Sequence, residues 1–163
     1  MLMDVGLDVE ANVDVKQAAR VRQATPADAT VIAQLCHAHA AYERAEYSNA
    51  GHAQRLAAAL QRGELHGWLA LRDGEPVGYA TATVDFSTFS GYRYLHLDCL
   101  YLATHARGLG LGRELLLAVR RFGVTKACTN LQWQTPAWNQ RAMRFYDRTG
   151  AQRYVKQRYI WNV

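Results

Sequence analysis

The period of apolar and polar positions changes repeatedly along the chain, and each change marks an element. Arg20 to Thr25 reads as a short strand. Thr25-Pro26-Ala27-Asp28 carries the signals of a helix start, with Thr as N-cap, Pro at the first helical position and a carboxylate following. The spacing of Ala29, Ile32, Leu35, Cys36 and His39 predicts one side of a helix to about Tyr42, with His37 and His39 on helix faces. Glu43 to Asn49 is polar and reads as a connection. A second helix is predicted from about His52 to Gln61, ended by Gly63. Trp68 to Leu71 is a short strand, Asp73-Gly74 a hairpin turn, Pro76 to Phe86 the next strand and 87–91 a loop.

The central stretch runs from Leu95 to Arg121. In its strand, Leu95 to Leu102, the apolar Leu95, Leu97, Cys99 and Tyr101 alternate with His96, Asp98 and Leu100, so Asp98 is expected to point the same way as His96 and Leu100. A helix starts within Gly110-Leu111-Gly112, carries Leu115, Leu116, Val119 and Phe122, and has Gly123 placed to stop it. Asn130 to Gln134 reads as a strand. Trp138 to Arg148 reads as a helix with Ala142, Phe145 and Tyr146 along its inner side, and Arg153 to Trp161 as a final strand. The order β-α-α-β-β-β-α-β-α-β predicts a mixed α/β sheet with helices between its strands. Residues 18–163 read as one domain. Residues 1–17, where Val5, Leu7, Val9, Val13 and Val15 alternate with Asp8, Glu10 and Asp14, read as an arm that adds to a sheet edge or stays mobile.

Composition narrows the function classes. The 163 residues are 50% hydrophobic and 20% charged, as in a soluble globular chain, and no apolar run approaches the length of a membrane span. The first fifteen residues have neither a basic nor an apolar leader region, so a cytoplasmic protein is expected. Cys36, Cys99 and Cys128 are odd in number and form no C-x-x-C pair, and the six histidines lack metal-binding spacing, so neither a disulfide framework nor a metal is expected. The net charge is +5, yet Lys occurs only at Lys16, Lys126 and Lys156. No basic cluster with interleaved aromatics suggests nucleic acid, and the charge suits the phosphates of a nucleotide cofactor equally well.

Arg107-Gly108-Leu109-Gly110-Leu111-Gly112 is where such phosphates would bind. The first turn of a helix presents unpaired N–H groups and the positive end of the helix dipole, and glycines let an anion come close to the backbone. An ordinary strand-to-helix turn would use the same glycines only for their backbone freedom. A Walker loop requires Gly-Lys-Ser/Thr, whereas Arg113-Glu114 follows Gly112; a G-x-G-x-x-G fingerprint fails because the third glycine comes one residue early.

What remains, Arg-x-x-Gly-x-Gly at Arg107, Gly110 and Gly112, resembles the pyrophosphate loop of the GNAT N-acetyltransferases, which bind acetyl-coenzyme A (acetyl-CoA). Asn139, then Phe145-Tyr146, then Gly150-Ala151 resembles the second half of that family's cofactor site. The likeness spans about Val21 to Trp161 and implies a GNAT-type mixed, mostly antiparallel central sheet flanked by about four helices. Leu97-Asp98-Cys99-Leu100-Tyr101-Leu102, Ala137-Trp138-Asn139 and Phe86-Ser87-Thr88-Phe89 look most like the diamine (spermidine/spermine-type) acetyltransferases. Those usually carry Glu-Asp where Asp98-Cys99 stand here, so the chain keeps a carboxylate, one methylene shorter, and lacks the second acid.

The resemblance implies transfer of an acetyl group from acetyl-CoA to a primary amine, with a protein amine or a non-catalytic acyl-CoA sensor as alternatives. Asp98 is the candidate base and His96 the alternative base; Tyr146 is the candidate acid at the coenzyme sulfur. The backbone of Leu100, Tyr101 and Leu102 would hold the acetyl carbonyl and pantetheine arm. Arg107, Gly108, Leu109, Gly110, Leu111, Gly112 and Arg113 would hold the pyrophosphate, and Asn139 the pantetheine. Tyr42, Glu43, Glu46, Tyr47, Asp85, Phe86 and Phe89 are candidates for an acidic, aromatic mouth for a cationic amine. A homodimer is expected, with the N-terminal arm and C-terminal strand as candidate edges.

Overall fold

The computed structural model describes residues 20–163, so the arm expected at 1–17 lies outside the described residues. Five strands form one sheet: β1 (Val21–Gln23), β2 (His66–Arg72), β3 (Glu75–Ser87), β4 (Tyr92–Leu102) and β5 (Leu131–Gln132). They lie side by side in chain order; the first three pairings are antiparallel and β4 pairs with β5 in parallel. Four helices flank them: α1 (Ala29–Glu43), α2 (His52–Arg62), α3 (Leu111–Thr125) and α4 (Gln140–Asp147). This is the mixed, mostly antiparallel sheet with four helices that the family resemblance implies. No helix among the described residues is long and apolar enough to cross a membrane, and no three metal-ligating side chains gather among them.

Local signals place several elements. Ahead of α1, the Thr25 N–H donates to the Asp28 carboxylate at 2.8 Å, and Arg22 binds the same carboxylate at 2.7 and 2.9 Å. The Asp73-Gly74 turn joins β2 to β3 with positive φ at both residues (52° and 82°), as a two-residue hairpin requires. One face of the sheet packs Trp68, Ala80, Ala82, Leu95 and Leu97 against Leu111, Leu115 and Val119 of α3. The other packs Leu69, Tyr79 and Tyr101 against Ile32, Leu35 and Cys36 of α1 and Leu56 and Leu60 of α2. Each face buries its apolar side chains under helices, which is the main stabilising term.

Four expectations are corrected. The strand alternation of β4 does not run through: its register with β3 shifts between Thr81 and Ala82, which face Cys99 and Leu97, so Asp98 is the extra residue of a β-bulge. The bulge reverses the sides. Leu95 and Leu97 join the α3 core, Cys99 and Tyr101 pack on the α1 side, and Leu100 and Leu102 return to the α3 side. Asp98 and Leu100 therefore do not share a face with His96 in the simple alternating sense. Gly123 does not stop α3, which continues to Thr125; a Cβ at Gly123 would stand 3.4 Å from Leu95, so the glycine permits close packing of helix on strand. The strand expected at 130–134 is only Leu131–Gln132. The final strand expected at 153–161 is absent, because so short a β5 offers almost no ladder to join; Val155, Tyr159 and Trp161 stand exposed instead.

Candidate active site

The cleft is made by a strand that loses its neighbour. β5 pairs with β4 only at Leu95 and His96. Beyond that point the β5 side of β4 is open, and the chain from Gln134 to α4 stands away from it. The Ala103 N–H donates to the Val77 carbonyl on the β3 side at 2.9 Å. Strand alternation then turns the N–H groups of Leu100 and Leu102 to the open side, where the Leu102 carbonyl already accepts from Arg107 Nε at 2.9 Å. The open edge forms one wall of a cleft of about 850 Å³, closed by the end of α1, the 107–113 turn and residues 134–149. That volume suits a sizeable small-molecule ligand.

The 107–113 turn presents the start of α3 to this cleft. Gly110 is the α3 N-cap at φ 83° and Gly108 has φ 82°, conformations in which side chains with a Cβ are strained. Arg20, just before β1, anchors the turn: its guanidinium donates to the Leu109 carbonyl at 3.1 Å and pairs with Glu114 of α3. Sequence reasoning missed this anchor, since the partners are some ninety positions apart. These contacts hold the turn at the start of α3 in place. Arg107, Arg113, Arg141, Arg148 and Arg158 line the cleft against only Glu43 and Asp98, so its charge favours a polyanion.

The other wall is α4. Asn139 is buried, and its Oδ1 caps the helix by accepting the Ala142 N–H at 3.1 Å, which leaves its side-chain NH₂ for a ligand. Tyr146 packs beside Phe145 and Trp133, each with ring centroids 5.1 Å away. Burial first, and then the negative charge of Glu43, push the Tyr146 hydroxyl up to about 12. It holds its proton throughout the physiological range and so faces the cleft as a neutral hydrogen-bond donor.

The cleft brings together Tyr42, Glu43, His96, Asp98, Leu100, Tyr101, Leu102, Arg107, Gly108, Gly110, Gly112, Arg113, Asn139 and Tyr146. Leu111 is buried in the α3 core and Leu109 is half exposed beside the turn. Glu46, Tyr47, Asp85, Phe86 and Phe89 lie outside it. Tyr47 instead donates to the Ala33 carbonyl at 2.9 Å and ties the α1–α2 connection to α1. Asp85 accepts from Thr83 Oγ1 at 3.1 Å, while Phe86 and Phe89 are exposed beyond the cleft. Arg107 turns its guanidinium inward, 4.5 Å from the Tyr42 ring centroid and 5.8 Å from that of Tyr101. The structure also adds His39, which the helix pattern gave no role; the available signal was its four-residue spacing from Glu43 on one helix face.

Known proteins carry the same frame. Residues 32–151 match the acetyltransferase (GNAT) family. A thialysine N-epsilon-acetyltransferase of Caenorhabditis elegans is 29% identical over 123 residues, 76% of each chain. An uncharacterized N-acetyltransferase of Bacillus subtilis (strain 168) is 30% identical over 130 residues, covering 80% of this chain and 87% of that one. An aminoglycoside N-acetyltransferase solved in complex with CoA superposes with a TM-score of 0.76 at 19% identity, over 87% of this chain and 93% of that one, a likeness of fold. With the match running from α1 through the opened β4 edge and the glycine turn to the end of α4, the chain belongs to the acetyltransferase (GNAT) family and is an N-acetyltransferase.

Proposed function

We propose that the chain moves an acetyl group from acetyl-CoA to the primary amine of a small cationic molecule, an amino-acid or polyamine side chain in kind. The observation that carries this reading is the convergence, in one cleft, of the open β4 edge, the α3 N-terminus and the Tyr146 hydroxyl. The coenzyme supplies the acetyl group as a thioester. The 107–113 turn binds its pyrophosphate, the Asn139 amide its pantetheine, and the N–H groups of Leu100 and Leu102 donate to the arm and to the acetyl oxygen.

An alkylammonium has no lone pair and is mostly protonated near neutrality, so a base must act first. Asp98, thrust out by the bulge on the open half of β4, accepts that proton, with His96 in the same cleft as the other candidate. The freed amine attacks the thioester carbonyl, and Tyr146 gives its phenolic proton to the departing sulfur. The attacking nitrogen loses its second proton, which restores Tyr146, and Asp98 releases the first proton to water. The name of the Caenorhabditis elegans relative supports an amine on a short flexible side chain. We also infer a homodimer in the cytoplasm, paired through the C-terminal segment, whose Tyr154, Val155, Tyr159, Ile160 and Trp161 are exposed and apolar.

The test is an acetyl-transfer assay against lysine analogues, polyamines, aminoglycosides and peptides. Transfer to small cationic amines and not to peptides is expected; transfer to peptides alone would reverse the substrate class. A monomeric mass by light scattering at micromolar concentration would remove the dimer.

A further inference from the structure

The end of α1 carries a chain of side chains that the chemistry above does not use. Glu43 is the last residue of α1, and Arg44 leaves it in the left-handed conformation at φ 57°. A long carboxylate at a helix end ordinarily roams. Here His39 Nε2 stands 3.3 Å from Glu43 Oε1, and His39 Nδ1 stands 3.0 Å from the Tyr79 hydroxyl. Tyr79 is 1% exposed, in the middle of β3. The His39 ring also stacks on Tyr101 of β4 at 5.1 Å and 24°.

Glu43 Oε1 stands beside Nε2 as a 3.3 Å ion-pair contact, and a carboxylate only accepts, so the contact favours the tautomer with the hydrogen on Nε2. Nδ1 then holds the lone pair and accepts the Tyr79 hydroxyl proton. One Glu43 oxygen is thereby tied to the core, and the other remains for a ligand in the cleft that Glu43 shares with Asp98. Burial, helped by Arg107 and opposed by the charges of Glu43 and Asp98, holds the His39 pKa below its ordinary value, which favours the neutral ring. The faces of Tyr42 and Tyr101, which already hold the Arg107 guanidinium at 4.5 and 5.8 Å, line the same cleft as Glu43.

We propose that Glu43 grips the ammonium group of the substrate and that His39 and Tyr79 are positioning residues which hold its carboxylate toward the cleft. The proposal rests on the amine-acetylation reading and deepens it, because it selects a cationic alkylamine over a neutral or anionic acceptor. It also gives His39 a part in binding rather than in proton transfer, since both ring nitrogens are engaged.

Steady-state kinetics at saturating coenzyme on the full chain test it, with Glu43→Gln, His39→Leu, His39→Gln and Tyr79→Phe checked for folding by thermal melts. Glu43→Gln and His39→Leu should raise KM for the amine by roughly ten-fold or more while kcat changes by less than about three-fold. His39→Gln, whose amide N–H replaces Nε2–H, should recover most of the KM, and Tyr79→Phe should show a smaller rise. A wild-type KM in folded Glu43→Gln overturns the proposal, as does a fall in kcat at constant KM in His39→Leu. His39→Gln no better than a folded His39→Leu also overturns it. Wild-type protein inactive on every amine in the panel overturns the amine reading itself, whereas an active wild type with indifferent variants overturns only the Glu43 assignment.

Discussion

β4 is one strand with two kinds of surroundings. Around Leu95 and His96 it is hydrogen-bonded on both sides, to β3 and to β5, and Leu95 is completely buried beneath Gly123 of α3. From Asp98 to Leu102 it keeps β3 but has no strand on its other side, and a bulge sets the boundary between the two halves. The composition of the halves hardly differs, since both are leucine-rich with one acid or imidazole. What separates them is the neighbour. An unpaired strand edge is a liability in a stable sheet, because its N–H and C=O groups want partners. Here the edge is kept inside a cleft, where a ligand can supply those partners.

The largest effect should come from the paired half. Leu95→Ala removes a fully buried side chain and should cost about 2–5 kcal/mol of stability, read from denaturant melts. Turnover per folded molecule should stay near wild type, which would show that this half is scaffold. A loss of turnover in the folded variant would erase the distinction between the halves.

Changes in the cleft that the open half borders should do the reverse. Tyr146→Phe leaves the ring packed on Trp133 and Phe145 and should lower turnover by roughly 10²-fold, with coenzyme affinity and melting temperature little changed. Because the hydroxyl is pushed up to about 12, the wild-type rate should show no alkaline decline from Tyr146 between pH 8 and 10. Asp98→Asn should lower turnover by about ten-fold near neutrality, with the defect shrinking as pH approaches the amine's own pKa, near 10 for an alkylamine. A defect independent of pH would move the base to His96. Gly110→Val places a β-branched residue at φ 83° on the α3 cap, where there is space but not the right backbone. Coenzyme binding should weaken by roughly ten-fold, about 1.4 kcal/mol by calorimetric titration.

The sequence carries the first of these halves better than the second. Local signals are legible in it: the Thr25-Pro26 helix start, the Asp73-Gly74 turn and the α3 start at Gly110-Leu111 all lie within a few residues of the structure they specify. The bulge at Asp98 is not legible, because it exists only in the register between β3 and β4, and an unbroken alternation through Tyr101 fits the same letters. The short β5 is invisible for a related reason: Asn130 to Gln134 has the composition of a strand, but its pairing depends on where β4 stands. The family motif carried the cleft's position without its geometry. His39 shows the limit most clearly, for its contact with Tyr79 reaches forty positions away, and nothing in the helix period points there.

The smallest effect lies away from β4, and it tests whether stability and site can be separated at the far edge of the sheet. The Asp28 carboxylate accepts from Arg22 at 2.7 Å and from the Thr25 N–H at 2.8 Å, joining β1 to the start of α1. The Arg22 guanidinium, helped by Thr25 and opposed by partial burial, holds the Asp28 carboxyl well below the usual carboxylate range. A group whose folded pKa is depressed stabilises the fold above its unfolded pKa, near 4, and loses that contribution as pH falls toward the folded value. Asp28→Asn should therefore cost about 1 kcal/mol at pH 7, a typical capping loss further limited by solvent around the half-exposed Arg22. The gap between variant and wild type should narrow as melts are repeated from pH 5 down to pH 3. Turnover should be unaffected, because neither Arg22 nor Asp28 lines the cleft. A gap that stays constant across that range would mean that shape at the cap, and not the charge on Asp28, holds the start of α1.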